Sequence, residues 1–519
     1  MRSKLRRVAQ LARRYRVDRR LPPPVRDLYR SVMVLRARDL VDRTLAATRS
    51  VLGHRRFGPV ARLESRRVAT VGPPDGSNRQ LALRTASDVE RAFVAGGVDS
   101  FLVARDGDRL QLGVLLADRG DALLALRQGL PGDGWLLRWT SGDRTGLVEL
   151  SGRIARPVLS ARSWEVFRAY AWGQRAIGPR HAALVTFWEL GTSSEYELVG
   201  TRSHERFHPA SPDTVEHLDR HRFRGKAAFP IADAIERLPE PVDVVFTWVD
   251  GSDPAWLRSF SAIAAEHGRQ LDEIALDPAR YRSRDELRFA LRSVWAHCGW
   301  VNHVWIVTAG QRPTWLAEHA DVTVVDHAEI LPADCLPTFN SHAIESALHH
   351  IPGLAEHFVY FNDDMFIGRP VQPELFFTPN GLARVFQGAA RVHGFEGAET
   401  LAVDTAAIRG RELLARRFGR VVTHKPLHAP YPLRRSTLEE IDREFRSEVE
   451  QTARSRFRSS SDLSIAASFG QHYGLARGHS VLGEIRSEYV HVESARLPWH
   501  LDRIRLGDDV DTYCINETR

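Results

Sequence analysis

The sequence predicts an α/β protein, with a largely parallel-sheet domain from about residue 236 and an α+β accessory domain before it. Three observations predict this. Four apolar runs after residue 236 each end in polar residues: "VDVVFTWVDGSD", "HVWIVTAGQ", "DVTVVDH" and "HFVYFNDDM". Segments of helical period separate them. Upstream, short apolar runs divided by Asp-Gly and Arg-Gly have the texture of antiparallel strands.

At 519 residues the chain is long enough for two or three domains. It is 43% hydrophobic and 26% charged, as soluble globular proteins are. No apolar run approaches the ~20 residues of a membrane span, and no secretory leader is visible. Cys298, Cys335 and Cys514 form neither a disulfide framework nor a metal clip, so a reducing cytosol is the simplest compartment.

Residues 1–60 hold 17 Lys or Arg against 4 Asp or Glu, a net +13 within a chain of +7; the remainder is −6. Nucleic-acid binding calls for basic residues on a folded face, which that acidic remainder argues against. The basic segment contains "LYRSVMVLRARDLVDRTL". It reads as a partly amphipathic helix touching an anionic membrane surface, or else as a solvated arm or a helix packed on its own protein.

Element by element, "LPPP" at 21–24 breaks the arm. "DSFLVARDGDRLQLGVLLADRGDALLAL" is expected to form antiparallel strands, and "WEVFRAYAWGQRAIGP" a helix stopped by Gly-Pro. In the second domain, Val242–Val249 is a strand. "SRDELRFALRSVWAHCG" is a helix with Leu287, Leu291 and Val294 on one face, and "NSHAIESALHHIPG" a short helix. Ligands of such sheets bind beyond the carboxyl ends of the strands. The loop after Val249, with Asp250, Gly251 and Asp253, falls there.

Asp363 and Asp364 close the fourth run. Paired carboxylates at a strand end suit Mg²⁺, and also suit a turn or helix N-cap. His428 stands between prolines in "THKPLHAPYPL" and could act as general acid or base or serve structure alone. Arg456 and Arg458 in "SRFRSSSD" can grip phosphate. No Gly-x-Gly-x-x-Gly, Walker A or hydrolase elbow is present. An acidic, metal-binding mouth followed by basic and histidine residues suits a pyrophosphate-containing substrate, most naturally a nucleotide-sugar.

Together these motifs resemble the Stealth family of sugar-phosphate transferases. "PVDVVFTWVDGSDPAW" looks like its first conserved region. "RDELRFALRSVWAHCGWVNHVWIVTAGQRPTWL" through "FVYFNDDMFIG" looks like the second. "HKPLHAPYPL" through "SRFRSSSDLS" resembles the third, and "YCINET" the fourth. The resemblance covers about 236–519 and implies a nucleotide-sugar transferase-like catalytic domain. It implies transfer of hexose 1-phosphate from a UDP-hexose, such as UDP-N-acetylglucosamine, to a saccharide hydroxyl with release of UMP, in exopolysaccharide or capsule synthesis. The rival readings are a metal-dependent glycosyltransferase releasing UDP and a non-catalytic sugar-nucleotide binder. Catalytic positions then fall on Glu345, Asp364, His428 and Arg458, with Arg458 preferred to Arg456 because it precedes Asp462 by four residues. The nucleotide-sugar pocket falls on Asp243, Thr247, Trp248, Asp250, Gly251, Asp253, Arg284 and Arg288. Mg²⁺ falls to Asp363, Asp364 and Asn516. Glu517 stands where the family often has Asp. The sequence is also compatible with a homo-oligomer and with peripheral contact at the inner face of the cell membrane.

Overall fold

A computed structural model describes residues 60–516 apart from 64–65, 72–76, 201–205, 232–234, 268–280, 393–401, 507–509 and a few isolated positions. The basic arm expected over 1–60 therefore lies outside the described residues except for Val60, and Glu517 lies outside them too.

The N-terminal part is built on α1 (Asn78–Ala95) and a ten-stranded mixed sheet. β1 (Ser100–Asp106) and β2 (Arg109–Leu115) form the expected antiparallel hairpin, turned at Gly107 with φ +61°. The Arg-Gly dipeptide is no hairpin turn. It opens a helix, α2 (Arg119–Gly129), because Ala122, Leu123, Ala125 and Leu126 bury one helical face.

The expected helix over "WEVFRAYAWGQRAIGP" is likewise overturned. Residues Ser163–Arg168, Tyr170–Trp172 and Arg175–Ile177 are strands. Trp164 and Val166 face the main N-terminal core while Phe167 faces a second cluster with Leu63 and Leu136. Apolar cover on both faces erased the alternation that marks a strand.

The second part centres on a five-stranded sheet. Its strands are β3 (Val242–Thr247), β4 (Val304–Thr308), β5 (Val322–Asp326), β6 (His357–Asn362) and β7 (Tyr431–Arg434), in the order β5-β4-β3-β6-β7. The first four pair in parallel, so the α/β, largely parallel fold is as the sequence predicts. Only β7 runs antiparallel, against β6. Consecutive buried residues Val244, Val245 and Phe246 show that β3 is covered on both faces.

Around the sheet lie α3 (Pro254–His267), α4 (Glu286–His297) and the one-turn α5 (Ser341–Glu345). Leu287, Ala290 and Val294 dock α4 on the core, with Leu291 half-buried beside them. Further on, α6 (Arg435–Glu444) follows β7 directly. A separate small sheet joins Met365–Ile367 to β8 (Thr512–Asn516), which runs antiparallel to it.

The two parts meet at the end of α4. Asn78 at the start of α1 donates to the Ala296 carbonyl at 2.5 Å, and its amide nitrogen lies 3.0 Å from His297 Nδ1. Among the described residues, no helix is long and apolar enough to cross a membrane.

Candidate active site

Register decides what stands at the carboxyl end of the sheet. Parallel pairing aligns Thr247, the last residue of β3, with Asn362, the last of β6. Asp363 and Asp364 follow immediately. Antiparallel pairing sets Tyr431 of β7 opposite Tyr360 of β6, and their rings stack with centres 6.2 Å apart. Strand pairing thus brings a chain segment carrying His428 beside one carrying the two aspartates.

Asp364 is the hub. Its Oδ2 accepts from Asn516 Nδ2 at 3.0 Å and from the Cys514 thiol at 3.2 Å, while its backbone carbonyl accepts from Ile515 N. Its other carboxylate oxygen, Oδ1, is buried without a partner. His428 lies alongside, one ligand atom each of Asp364, His428 and Cys514 falling within 4.8 Å of one another. The Nδ1 of His428 meets the Tyr431 hydroxyl at 3.2 Å, and its Nε2 is buried and unpartnered. Burial holds this imidazole below its ordinary basicity; Asp364 opposes that and the Arg458 charge reinforces it. Desolvation also pushes the Cys514 thiol far up, with Asp364 adding to the effect, so it stays an S–H donor.

A second group adjoins the first. The Tyr360 hydroxyl lies 3.0 Å from Thr247 Oγ1 and donates to Glu345 Oε1 at 3.4 Å. Glu345 is buried with Oε2 unpartnered. Its desolvation outweighs the His342 and Arg458 charges and raises its pKa, which favours the protonated acid. Arg458 donates to Ser341 Oγ at 2.7 Å across the start of α5, and its Nε is buried and unpartnered. Asn340 pins this arrangement. Its amide donates to the Ser455 and Phe457 carbonyls and to Asp462, which also accepts from Ser459 N. Arg456 points away and donates to the Pro337 carbonyl.

The opening loop is held by its own groups. Asp250 Oδ1 accepts from Ser252, an Asx turn. Asp253 Oδ1 caps α3 by accepting from Ala255 N, and Gln311 bridges the Asp250 backbone to Asp253 Oδ2. That backbone hydrogen bond, then the one from Gln311, hold Asp253 below its usual pKa. A Cβ on Gly251 would sit 2.4 Å from the Tyr281 carbonyl, so only glycine fits where the loop crosses the segment leading to α4. Trp248 is buried, its indole N–H donated to Ser283. Arg284 and Arg288 are exposed at the head of α4, Arg288 lying 3.9 Å from Asp285.

Asp243 is the correction. It sits near the opposite end of β3, 1% exposed, and accepts from Asn302 Nδ2, Trp305 Nε1 and Ala355 N at 2.8–2.9 Å. Three N–H donors satisfy the carboxylate, and it does not reach the mouth of the sheet.

Sequence reasoning missed Tyr360, Tyr431 and Cys514. A tyrosine in an apolar strand reads as core, and only strand pairing reveals that both hydroxyls face the acids.

The oxygen set of Asp363, Asp364 and Asn516 fits a hard divalent cation. Burial, Asp364 and Glu286 push Asp363 up to about 8, and Asp364 Oδ1 has no donor; a cation bound at these carboxylates would relieve both.

Family models match in chain order: Stealth protein conserved region 1 over residues 240–268, region 2 over 280–385 and region 3 over 427–475. The chain is 36% identical over 542 residues to an exopolysaccharide phosphotransferase of Streptomyces coelicolor, covering 97% of this chain and 90% of the relative. A second from that organism is 44% identical over 281 residues, covering 53% of this chain and 51% of the relative. The exopolysaccharide phosphotransferase CpsY of Mycobacterium tuberculosis is 41% identical over 285 residues, covering 53% and 52%. The chain therefore spans about half the length of those last two. A crystal structure of the galactosyltransferase LgtC with donor and acceptor sugar analogues aligns with a TM-score of 0.27 at 12% identity, over 53% of this chain and 87% of that one.

Proposed function

From membership of the Stealth family of sugar-phosphate transferases, to which this chain belongs, we propose that it transfers hexose 1-phosphate from a UDP-hexose to a saccharide hydroxyl in exopolysaccharide synthesis. The observation that carries this reading is the convergence of His428, Asn516 and Cys514 on Asp364, with Arg458 and Glu345 in the adjoining buried group.

The acceptor oxygen attacks the phosphorus bonded to the hexose, and the bond from that phosphorus to the oxygen of UMP breaks. Such transition states are loose, so positioning and charge neutralisation supply most of the rate. In the tautomer that donates Nδ1–H to the Tyr431 hydroxyl, His428 keeps a lone pair on Nε2 to take the acceptor's proton. Glu345, favoured as the protonated acid, suits a hydrogen-bond donor to phosphate better than a base. Arg458, anchored on Ser341, stabilises oxygens of the transferred group. Mg²⁺ held by Asp363, Asp364 and Asn516 would supply charge neutralisation at the diphosphate.

The test is to incubate the purified protein with a panel of UDP-hexoses, Mg²⁺ and short oligosaccharides and to identify the nucleotide released. UMP, absent with Asp364→Ala, is the expected result. UDP would replace this reading with glycosyl transfer, and no nucleotide with any acceptor would favour a site that only binds.

A further inference from the structure

Behind α5, two adjacent histidines serve nothing in the pocket described above. His349 is 7% exposed, yet neither of its ring nitrogens has a hydrogen-bond partner. Buried polar groups are partnered as a rule, because a group that has lost water and gained no partner destabilises the fold. Its Nε2 lies 3.9 Å from Asp442 Oδ2 on α6, beyond hydrogen-bond reach. His350 is exposed, its ring centre 4.0 Å from that of His349 and its Nδ1 3.1 Å from the Ile330 carbonyl. A carbonyl accepts, so Nδ1 carries the proton and Nε2 the lone pair. One ligand atom from each of His349, His350 and Asp442 falls within 4.8 Å of the other two.

We propose that His349, His350 and Asp442 bind a divalent transition metal of the Zn²⁺ class, which clips the segment after α5 to α6. Two imidazoles and one carboxylate favour Zn²⁺, Co²⁺ or Ni²⁺ over Mg²⁺. Metal–ligand bonds of about 2 Å on either side span a gap of that size, which a hydrogen bond does not. Buried and without a hydrogen-bond partner on either ring nitrogen, His349 has a lone pair to offer. Arg435 repels a cation, and Asp442 offsets that charge. The exposed side of His350 gives the ion an entrance. Such a clip would brace, from outside the pocket, the chain that bears Glu345 against the helix that follows Tyr431. It is separate from the oxygen site at Asp363 and Asp364.

The test uses the full chain, free of any affinity tag and stripped with chelator, titrated with Co²⁺ in excess Mg²⁺ and followed by visible ligand-field absorption. One equivalent should develop bands that Zn²⁺ displaces. They should persist in Asp364→Asn, whereas His350→Ala and Asp442→Asn each weaken Co²⁺ binding about tenfold or more. His350 is exposed, so its variant keeps the fold even if one at Asp442 does not. No bands in the wild type, bands surviving both variants, or bands lost only in Asp364→Asn would overturn the proposal.

Discussion

Asn516 donates its side-chain amide to Asp364 Oδ2 over 3.0 Å, joining residues 152 positions apart. That bond, with the one from Cys514, occupies Oδ2, while the buried Oδ1 is left without a protein donor. Asn516→Ala should therefore lower kcat about 10- to 100-fold, the usual effect of losing a group that aims a ligand. Steady-state release of UMP measures it, and an unchanged kcat would mean that Cys514 alone suffices.

His428→Ala should cost about 10²- to 10⁴-fold in turnover, the range expected for a lost general base. Single-turnover measurements with saturating donor separate this from weakened binding. Near-normal turnover at neutral pH would remove His428 from the role.

Asp243→Ala is expected to act on stability and leave the donor's KM alone. Removing the buried carboxylate takes the acceptor from the half-buried Trp305 and Ala355 N–H groups, a cost of about 1–3 kcal/mol, while the exposed Asn302 amide can turn to water. Urea unfolding monitors the loss. A raised KM with unchanged stability would return Asp243 to the nucleotide pocket.

Much of the fold was legible and the site only partly so, for one physical reason. Covered strands such as Val242–Thr247 announce themselves as apolar runs, since both faces meet core. The same cover misled at Ser163–Arg168, where Trp164 and Phe167 serve two different cores. Asp364 and His428 stood out as polar residues at a strand end and in a proline-bounded segment. Tyr360 and Tyr431 did not, because only the antiparallel pairing of β6 with β7 gives their hydroxyls a place. The family resemblance alone put Asp243 in the pocket, and its own surroundings could not correct that, because a carboxylate within an apolar run reads alike whether backbone and indole donors or a ligand satisfy it.

Chelation should abolish nucleotide release and Mg²⁺ should restore it. Asp363→Asn should raise the Mg²⁺ concentration needed for half-maximal rate about tenfold or more, since it removes one oxygen charge from the cation's place. An unaltered Mg²⁺ requirement would remove Asp363 from that place.

Acid should destabilise the fold well before the carboxylates titrate. Burial holds His181, His297 and His327 each at about 4, below the unfolded value near 6.5. Between those values the unfolded chain binds more protons at these histidines, so their contribution to stability is full above pH 6.5 and falls as pH drops towards 4, against the opposite trend of the raised carboxyl of Asp363. His181, fully buried, alone accounts for about 3 kcal/mol across that window. Thermal melts from pH 7 to 4.5 should show the decline, and His181→Gln should flatten it. A melting temperature constant over that range would contradict this.

The order in which the pocket is completed also sets when it can work during synthesis. Domains generally fold as units from the N-terminal side as the chain emerges. Thr247, Glu345, Asp364, His428 and Arg458 have all left the ribosome before β8 appears, yet Cys514 and Asn516 on that strand supply both side-chain donors to Asp364 Oδ2. A nascent chain that ends before Thr512 thus lacks both of the side-chain donors that aim the Asp364 carboxylate. Aiming that carboxylate waits on one five-residue strand near the C-terminal end of the described residues.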